Sequence, residues 1–96
     1  MKIRILPSAL RDLAKGRRFY ERQGEGLGNY FMSSLFSDID SLALYGGIHL
    51  KVGKYHRLLS KRFPYAIYYR LNDGLVEVWR VLDCRQDPRK TKRALE

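Results

Sequence analysis

The sequence predicts an α+β domain in which a helical hairpin packs on one face of a four-stranded, mainly antiparallel sheet, in the order β-α-α-β-β-β. Residues 51–85 contain strand-like runs separated by Gly53, Phe63-Pro64 and Asp73-Gly74, which is typical of an antiparallel meander. Residues 8–44 contain two stretches with apolar residues at helical spacing, joined by a glycine-rich turn. A short alternating run comes first in the chain, and we expect it to add a strand to the meander.

Length and composition favour one folded domain that spans residues 1–96. A chain of this length is expected to form a single core, and 45% hydrophobic residues with 12% aromatic residues argue against a disordered tail. There is no apolar run near the length of a membrane span and no signal peptide, so we expect a soluble, cytoplasmic protein without membrane contact. The single cysteine, Cys84, excludes an internal disulfide framework and fits a reducing compartment.

The charge balance predicts an acidic partner. Nineteen Lys and Arg residues against ten Asp and Glu residues give a formal net charge of +9. Such a field attracts nucleic acid, an acidic polypeptide or an anionic membrane surface, and charge alone does not distinguish among them.

The first strand and helix are predicted from residues 2–23. Residues 2–6 alternate in polarity as a short strand does, and Pro7 ends the run. Ser8 is the predicted N-cap of a helix that continues to about Gln23. Gly16 lies on the apolar stripe of this helix, where glycine costs up to about 1 kcal/mol relative to alanine. We therefore expect another backbone to approach closely at Gly16.

A second helix is predicted over residues 27–44. The glycine cluster before it, residues 24–28, neither follows a strand nor precedes a Lys-Ser/Thr pair, so it is interpreted as a turn and not as a phosphate-binding loop. Gly46-Gly47 is expected to end the helix. Asp38 and Asp40 lie on its polar side, where exposure to solvent is expected.

The turn at Asp73-Gly74 sets the predicted pairing of the last two strands. Asp-Gly suits the positive φ angles of a two-residue hairpin loop. Closing this loop places Arg70 opposite Glu77 and Tyr68 opposite Trp79 on one face of the sheet, with apolar pairs on the other. We prefer this register to that of a three-residue loop, because facing opposite charges and aromatic pairs stabilise a sheet by roughly 0.2–1 kcal/mol per pair.

Two segments near the end of the chain leave alternatives open. The chosen register directs Arg80 to the apolar face, so either its aliphatic stem reaches the sheet edge or the pairing differs there. The basic tail, residues 88–96, forms either a short helix with Pro88 in its first turn or a frayed arm.

Four motifs, in order along almost the whole chain, resemble the RelE/ParE superfamily of bacterial type II toxins. They are Leu6-Pro7-x-Ala9-x-x-Asp12-Leu13, Tyr20-Glu21-x-Gln23 followed by Gly26-Leu27-Gly28, Lys61-Arg62-Phe63-Pro64-Tyr65-x-Ile67-Tyr68-Tyr69, and Val81-Leu82-Asp83-x-Arg85-x-Asp87-Pro88. The resemblance implies a small cytoplasmic toxin that is neutralised by an antitoxin, ParD-like or another acidic chain, within a toxin–antitoxin hetero-oligomer.

The resemblance implies one of two activities. RelE-like members cleave messenger RNA in the ribosome, whereas ParE-like members bind and poison DNA gyrase. Cleavage needs a proton acceptor, cations and an acid. Ala66 stands where RelE-like enzymes carry an arginine, and the C-terminal segment holds Lys90, Thr91 and Lys92 where they carry Tyr or His. Lysines of ordinary pKa are poor bases at neutral pH, so the residues favour the ParE-like branch.

The nuclease alternative nevertheless has candidate residues. Arg57, Lys61 and Arg85 would be the cations that stabilise the phosphate. His49 lies in a loop. His56 lies in a strand, where a histidine more often packs against its neighbours than acts as a catalytic base. One cysteine and two scattered histidines make no metal-binding set, and no cofactor is expected.

For the binding function we predict a basic and aromatic surface on the meander and the tail. It could pair phosphates and stack bases, or receive an acidic antitoxin segment. The alternative is that Arg70 only pairs with Glu77, and that Tyr68 and Trp79 are core residues under the helices. A non-toxic nucleic-acid-binding module, with salt-sensitive affinity for DNA, is a third possibility. The predicted surface comprises Arg57, Lys61, Arg62, Tyr68, Arg70, Trp79, Arg85, Arg89 and Lys90.

Overall fold

A five-stranded sheet with a helical hairpin on one face forms the structure, a computed structural model that describes residues 1–96. The elements are β1 (Lys2–Ile5), α1 (Pro7–Glu21), α2 (Leu27–Asp40), α3 (Leu42–Tyr45), β2 (Lys51–Val52), β3 (Tyr55–Leu59), β4 (Tyr65–Asn72), β5 (Leu75–Asp83) and α4 (Pro88–Leu95). The predicted α+β class is confirmed. None of the helices combines the length and the apolarity that crossing a bilayer requires.

The sheet has one strand more than predicted, in the order β1-β5-β4-β3-β2. The additional strand is the two-residue β2, which pairs antiparallel with β3 through a turn that contains Gly53 at φ 62°. At the other edge β1 pairs in parallel with β5. Because β1 covers only residues 75–78 of β5, the second half of β5 lies at the edge of the sheet.

The pairing next to the Asp73-Gly74 turn agrees with the prediction. Both residues have positive φ, 49° and 78°. Arg70 lies opposite Glu77, and Tyr69 lies opposite Val78. The apolar residues of this hairpin therefore face the helices as expected.

Further along the same hairpin the predicted pairing is wrong. A β-bulge places Tyr68 opposite Arg80, and not opposite Trp79, because Trp79 is the extra residue on β5. The bulge shifts the alternation of β5 by one residue and turns Arg80 away from the apolar face. Of the two alternatives for Arg80, a strand pairing that differs from the predicted one is therefore correct.

The start of α1 closes the exposed edge of β5. The predicted N-cap is wrong: Leu6 occupies the N-cap position, and no side chain caps the helix. The Ser8 hydroxyl instead donates a hydrogen bond to the Trp79 carbonyl at 2.6 Å. One turn later, Asp12 accepts a hydrogen bond from the Val81 amide at 2.9 Å. Side chains of α1 thus satisfy the β5 backbone beyond the end of β1.

Gly16 makes room for a side chain, and not for a backbone as predicted. A Cβ atom at this position would lie 2.5 Å from Cζ of Phe31. The Phe31 ring is fully buried and packs against Tyr20, Phe63 and Tyr65. Since the ring is held on several sides, a larger residue at position 16 would displace the centre of the core.

The turn between α1 and α2 is fixed by one carboxylate. Glu21 accepts hydrogen bonds from the amides of Gly26, at 3.2 Å, and Gly28, at 2.9 Å. The predicted turn is confirmed, but the single helix predicted over residues 27–44 is two helices, α2 and α3, with Ser41 between them. The α3 helix ends at Tyr45, and Gly46 follows it as the C-cap, as predicted.

Apolar residues form one cluster on each face of the sheet. The main core lies between the sheet and the hairpin of α1 and α2, and includes Phe31, Ile67 and Tyr69. A smaller cluster lies on the opposite face, where Ala94 and Leu95 of α4 cover it. The basic tail is therefore a helix, and the Asp87 carboxylate caps it by accepting a hydrogen bond from the Arg89 amide.

Candidate functional site

The predicted basic and aromatic residues lie in separate regions of the surface. One group occupies the distal face, defined as the sheet face away from α1 and α2. A second group lies on the turn between β3 and β4, a third lies at the end of β5 beside α1, and α4 carries the rest. The distal face carries Arg57, Tyr68, Arg70 and Trp79. The turn between β3 and β4 carries Lys61 and Arg62, the end of β5 carries Arg85, and α4 carries Arg89 and Lys90.

On the distal face, two arginines are held by aromatic side chains. Nε of Arg57 donates a hydrogen bond to the Tyr68 hydroxyl at 3.2 Å. The guanidinium of Arg70 lies over the Trp79 ring, 5.8 Å from its centroid, and makes no ion pair with Glu77 opposite. Tyr68 is buried, so its ring is not free to stack on a base.

The alternative that placed Tyr68 and Trp79 under the helical hairpin is also wrong. Both residues belong to the distal cluster, under α4. The indole Nε1 of Trp79 is buried there without an acceptor. Because Trp79 is the only tryptophan of the chain, its fluorescence can report on this face.

A buried carboxylate fixes the turn that carries Lys61 and Arg62. Asp38 is only 6% exposed, so the expectation that it would be solvated is wrong. It accepts hydrogen bonds from the Ser60 hydroxyl, at 2.7 Å, and from the Lys61 amide, at 3.4 Å. Asp40 is exposed as expected. Asp38 thus ties the start of this turn to α2.

Beside this turn lies a polar cleft of about 260 Å³. Nη1 of Arg62 donates to the Tyr30 hydroxyl at 3.2 Å and so holds one side of the cleft in place. Hydroxyl groups and two cations suit an anionic or hydrogen-bonding group of a partner. The lining residues are Tyr30, Ser33, Ser34, Ser37, Asp38, Lys61 and Arg62.

Arg85 is already engaged by its neighbours. Its guanidinium donates to both oxygens of Asp83, at 3.0 and 2.9 Å, and to the Tyr20 hydroxyl at 3.3 Å. Burial opposes ionisation of Asp83, but the hydrogen bonds from Arg85 outweigh it and lower the pKa of the carboxyl. Arg85 would have to leave Asp83 before it could bind a phosphate bidentately.

A cleft of about 390 Å³ lies between α1, the end of β5 and α4. Arg80 and Asp12 form an ion pair in it at 2.7 Å, and Arg80 also donates to the Ala94 carbonyl at 3.2 Å. Burial, with a smaller effect of Asp83, raises the pKa of Tyr65 to about 12. Tyr65 is therefore protonated at neutral pH and cannot accept a proton there.

The three cations of the nuclease alternative have separate partners. Arg57 lies on the distal face, and its Nη2 lies 3.6 Å from Sγ of Cys84, the residue before Arg85. Arg85 contacts Tyr20 of α1 on the opposite side of the sheet, and Lys61 follows the turn fixed by Asp38.

A hydrogen-bonded cluster around Tyr69 joins the loop after α3 to the sheet. The Tyr69 hydroxyl accepts a hydrogen bond from the Gly47 amide at 2.9 Å and pairs with Nδ1 of His49 at 2.5 Å. His56 stacks on the Tyr69 ring, 5.0 Å between centroids, and its Nδ1 pairs with the His49 carbonyl at 2.7 Å. His56 thus has the packing role that its place in a strand predicts.

We expect stability to fall as the pH drops below about 6.5, with His49 as one cause. Burial, and then the nearby His56, lower the pKa of His49 below the ordinary value of 6.5. The unfolded chain therefore binds the proton more readily, and the stabilisation by neutral His49 is complete above pH 6.5 and lost as the pH falls through its folded pKa. Urea unfolding between pH 5 and 8 measures this slope. The variant His49→Gln should show a flatter slope, and an unchanged slope would contradict the assignment.

Comparison with known proteins identifies the family. A family model described as the ParE toxin of the type II toxin-antitoxin system, parDE, matches residues 3–88. The chain belongs to this family. No curated protein matches it. A solved structure entitled "Chromosomal ParDE TA system from P. aeruginosa" is similar in fold, with a TM-score of 0.67 and 16% sequence identity over 84% of this chain and 92% of that chain.

The sequence motifs that resemble the ParE family make structural contacts in this chain. Asp12 of the first motif binds Arg80 and the β5 backbone. Glu21 of the second caps α2. Asp83 of the last motif holds Arg85. The motifs therefore explain the ParE fold better than they locate a binding site, and the predicted membership of this superfamily is confirmed.

Two features of this ParE-family chain escaped sequence reasoning. Asp38 was assigned to the polar face of a helix, and nothing in the helical periodicity indicates that the turn after β3 would cover it. The second is a group of exposed apolar side chains between α3 and β2. A signal for it exists in the sequence, because Leu44 ends the predicted helix and two more large apolar residues, Ile48 and Leu50, follow beyond it.

Proposed function

We propose that this chain is a cytoplasmic toxin that binds and poisons DNA gyrase and is neutralised by a cognate antitoxin. The match of the ParE family model over residues 3–88 carries the proposal, since it spans both helices of the hairpin and, except for Lys2, all five strands. The solved structure of similar fold belongs to a ParDE toxin–antitoxin system, and this likeness supports an antitoxin as the partner.

The charge of the protein fits recognition by binding. A net charge of +9 attracts an acidic partner and speeds the encounter with it. Of the predicted binding residues, the turn after β3 and α4 present side chains that are exposed, and Arg70 is exposed above Trp79. We assign contacts with the antitoxin and with the target to these residues, which are Lys61, Arg62, Arg70, Arg89 and Lys90.

The alternative function is that of a RelE-like ribosome-dependent endoribonuclease. Two observations weigh against this alternative. Arg85 is occupied by Asp83, and Arg57 is engaged by the Tyr68 hydroxyl and by Sγ of Cys84. A nuclease would need these groups, or others, to converge on one phosphate.

Expression in bacterial cells tests the proposal. We expect growth to stop, chromosomal DNA breaks to accumulate in covalent complex with gyrase, and transcripts to remain uncut. Co-expression of the antitoxin should restore growth. Messenger RNA cut at ribosomal A sites, with the chromosome intact, would establish the nuclease alternative instead.

A further inference from the structure

An exposed apolar segment lies at the β2 edge of the sheet. We call residues 44–52 the apolar edge, because five of these nine residues are large, apolar and exposed. Leu44 is 82% exposed, Ile48 is 72% exposed and Leu50 is 87% exposed. Exposed apolar side chains concentrated in one short segment are a mark of an interaction surface. The five residues are Leu44, Tyr45, Ile48, Leu50 and Val52.

The apolar edge is held against the sheet. The Tyr69 hydroxyl binds both the Gly47 amide and the His49 ring, and the Leu50 carbonyl accepts a hydrogen bond from the Arg57 amide at 2.9 Å. A preformed surface loses little conformational freedom when a partner binds to it.

The β2 strand at this edge pairs with β3 on one side only, as the last strand of the sheet. An edge strand offers its free backbone groups to an added strand. Val52 shares a face with Tyr55, and Leu50, two residues earlier, falls on the same side, whereas Lys51 points to the other. A strand added beside β2 would therefore meet apolar side chains on one face and a cation on the other.

The charge around the apolar edge favours an acidic occupant. Residues 41–72 contain no Asp or Glu and six Lys or Arg. Glu96 of α4 lines the adjacent cleft, where two lysines, Lys54 and Lys92, outnumber it. A second copy of this chain would bring two such segments together and would repel itself, whereas an acidic polypeptide would be attracted.

We propose that an extended segment of the antitoxin, with alternating apolar and acidic residues, pairs with β2 as a sixth strand. Its apolar side chains cover Leu50 and Val52, and its carboxylates meet Lys51 and Lys54. This proposal rests on the proposed function, because it takes the partner to be an antitoxin.

Hydrogen exchange on the wild-type complex is the first test. The probe is the antitoxin encoded beside this chain, mixed with the purified toxin. We expect backbone amides of residues 50–53 to become at least ten-fold more protected in the complex. A neutralised toxin whose exchange in this segment is unchanged would overturn the proposal and leave the proposed function standing. If the adjacent protein neither binds nor neutralises the toxin, the proposed function fails first.

A substitution at the most exposed residue is the second test. Leu50→Asp should weaken antitoxin binding at least ten-fold in calorimetry, because it places a carboxylate under the apolar side chains of a segment that is itself acidic. Its 87% exposure means that folding should be unaffected, which circular dichroism checks. Leu10→Asp, on α1 and 48% exposed, is the matched control and should leave affinity unchanged.

Two outcomes of the second test would overturn the proposal. One is equal weakening by Leu50→Asp and Leu10→Asp, which would show only a general effect of charge. The other is a wild-type toxin that is a dimer in sedimentation and that Leu50→Asp converts to a monomer, which would assign the apolar edge to a second copy.

Discussion

The variant Gly16→Val is expected to lose about 3 kcal/mol of unfolding free energy, a fall in Tm of roughly 10–20 °C for a domain of this size. A Cβ at position 16 meets Phe31 Cζ at 2.5 Å and Cε2 at 2.7 Å, well inside van der Waals contact. The ring is fully buried and packs against Tyr20, Phe63 and Tyr65, which limit how far it can move. Any gain in helix propensity over glycine, a few tenths of a kcal/mol, is far smaller.

Urea or thermal unfolding measures the effect of Gly16→Val, and Lys15→Val is its control. Lys15 is the neighbouring residue on α1 and is exposed, so valine there carries the cost of a β-branched residue in a helix without the clash. A small change for Lys15→Val beside a large one for Gly16→Val would support the close packing of α1 on Phe31. Equal stability of wild type and Gly16→Val would contradict it.

Asp12→Ala is expected to destabilise the domain by about 3 kcal/mol. The carboxylate makes two hydrogen bonds to Arg80, at 2.7 and 2.9 Å, and one to the Val81 amide. Its removal leaves a partly buried guanidinium without its counter-charge and a strand amide without its acceptor, and each of these is costly. The contact also joins α1 to β5. Its loss therefore weakens the packing of this helix on the part of β5 that β1 does not cover.

An exposed ion pair provides the control for Asp12→Ala. Arg89 and Asp87 lie 3.0 Å apart, but the Arg89 side chain is 86% exposed, and such pairs add little to stability. Arg89→Ala should unfold at the same denaturant concentration as wild type. If Asp12→Ala behaved like Arg89→Ala, the account of Asp12 as a structural link would be wrong.

Most of the architecture was predicted, because turns, strands and helices depend largely on sequence patterns among neighbouring residues. The Asp73-Gly74 turn predicts the hairpin and the pairing beside it, and the helical stripe of α1 predicts its buried residues. The bulge at Trp79 was not predicted, and it accompanies a contact between Arg80 and Asp12 that spans 68 residues of chain. A long-range ion pair of this kind leaves no periodic trace in the sequence.

The candidate binding surface was predicted less well for the same reason. Composition identified the cations but not their neighbours: Asp83 occupies Arg85, Asp38 fixes the turn at Lys61, and Tyr68 is buried. The apolar edge was not predicted, because large apolar residues after a helix are usually expected in the core. Only the tertiary structure shows that these residues are exposed.

The most direct measurement of the proposed activity uses purified components. Gyrase and supercoiled plasmid are incubated with the toxin, and the products are treated with detergent and protease. We predict linear DNA that appears only with toxin present and disappears when antitoxin is added first. Plasmid that stays intact at every toxin concentration, while a translating ribosome preparation shows cut messenger RNA, would contradict the account.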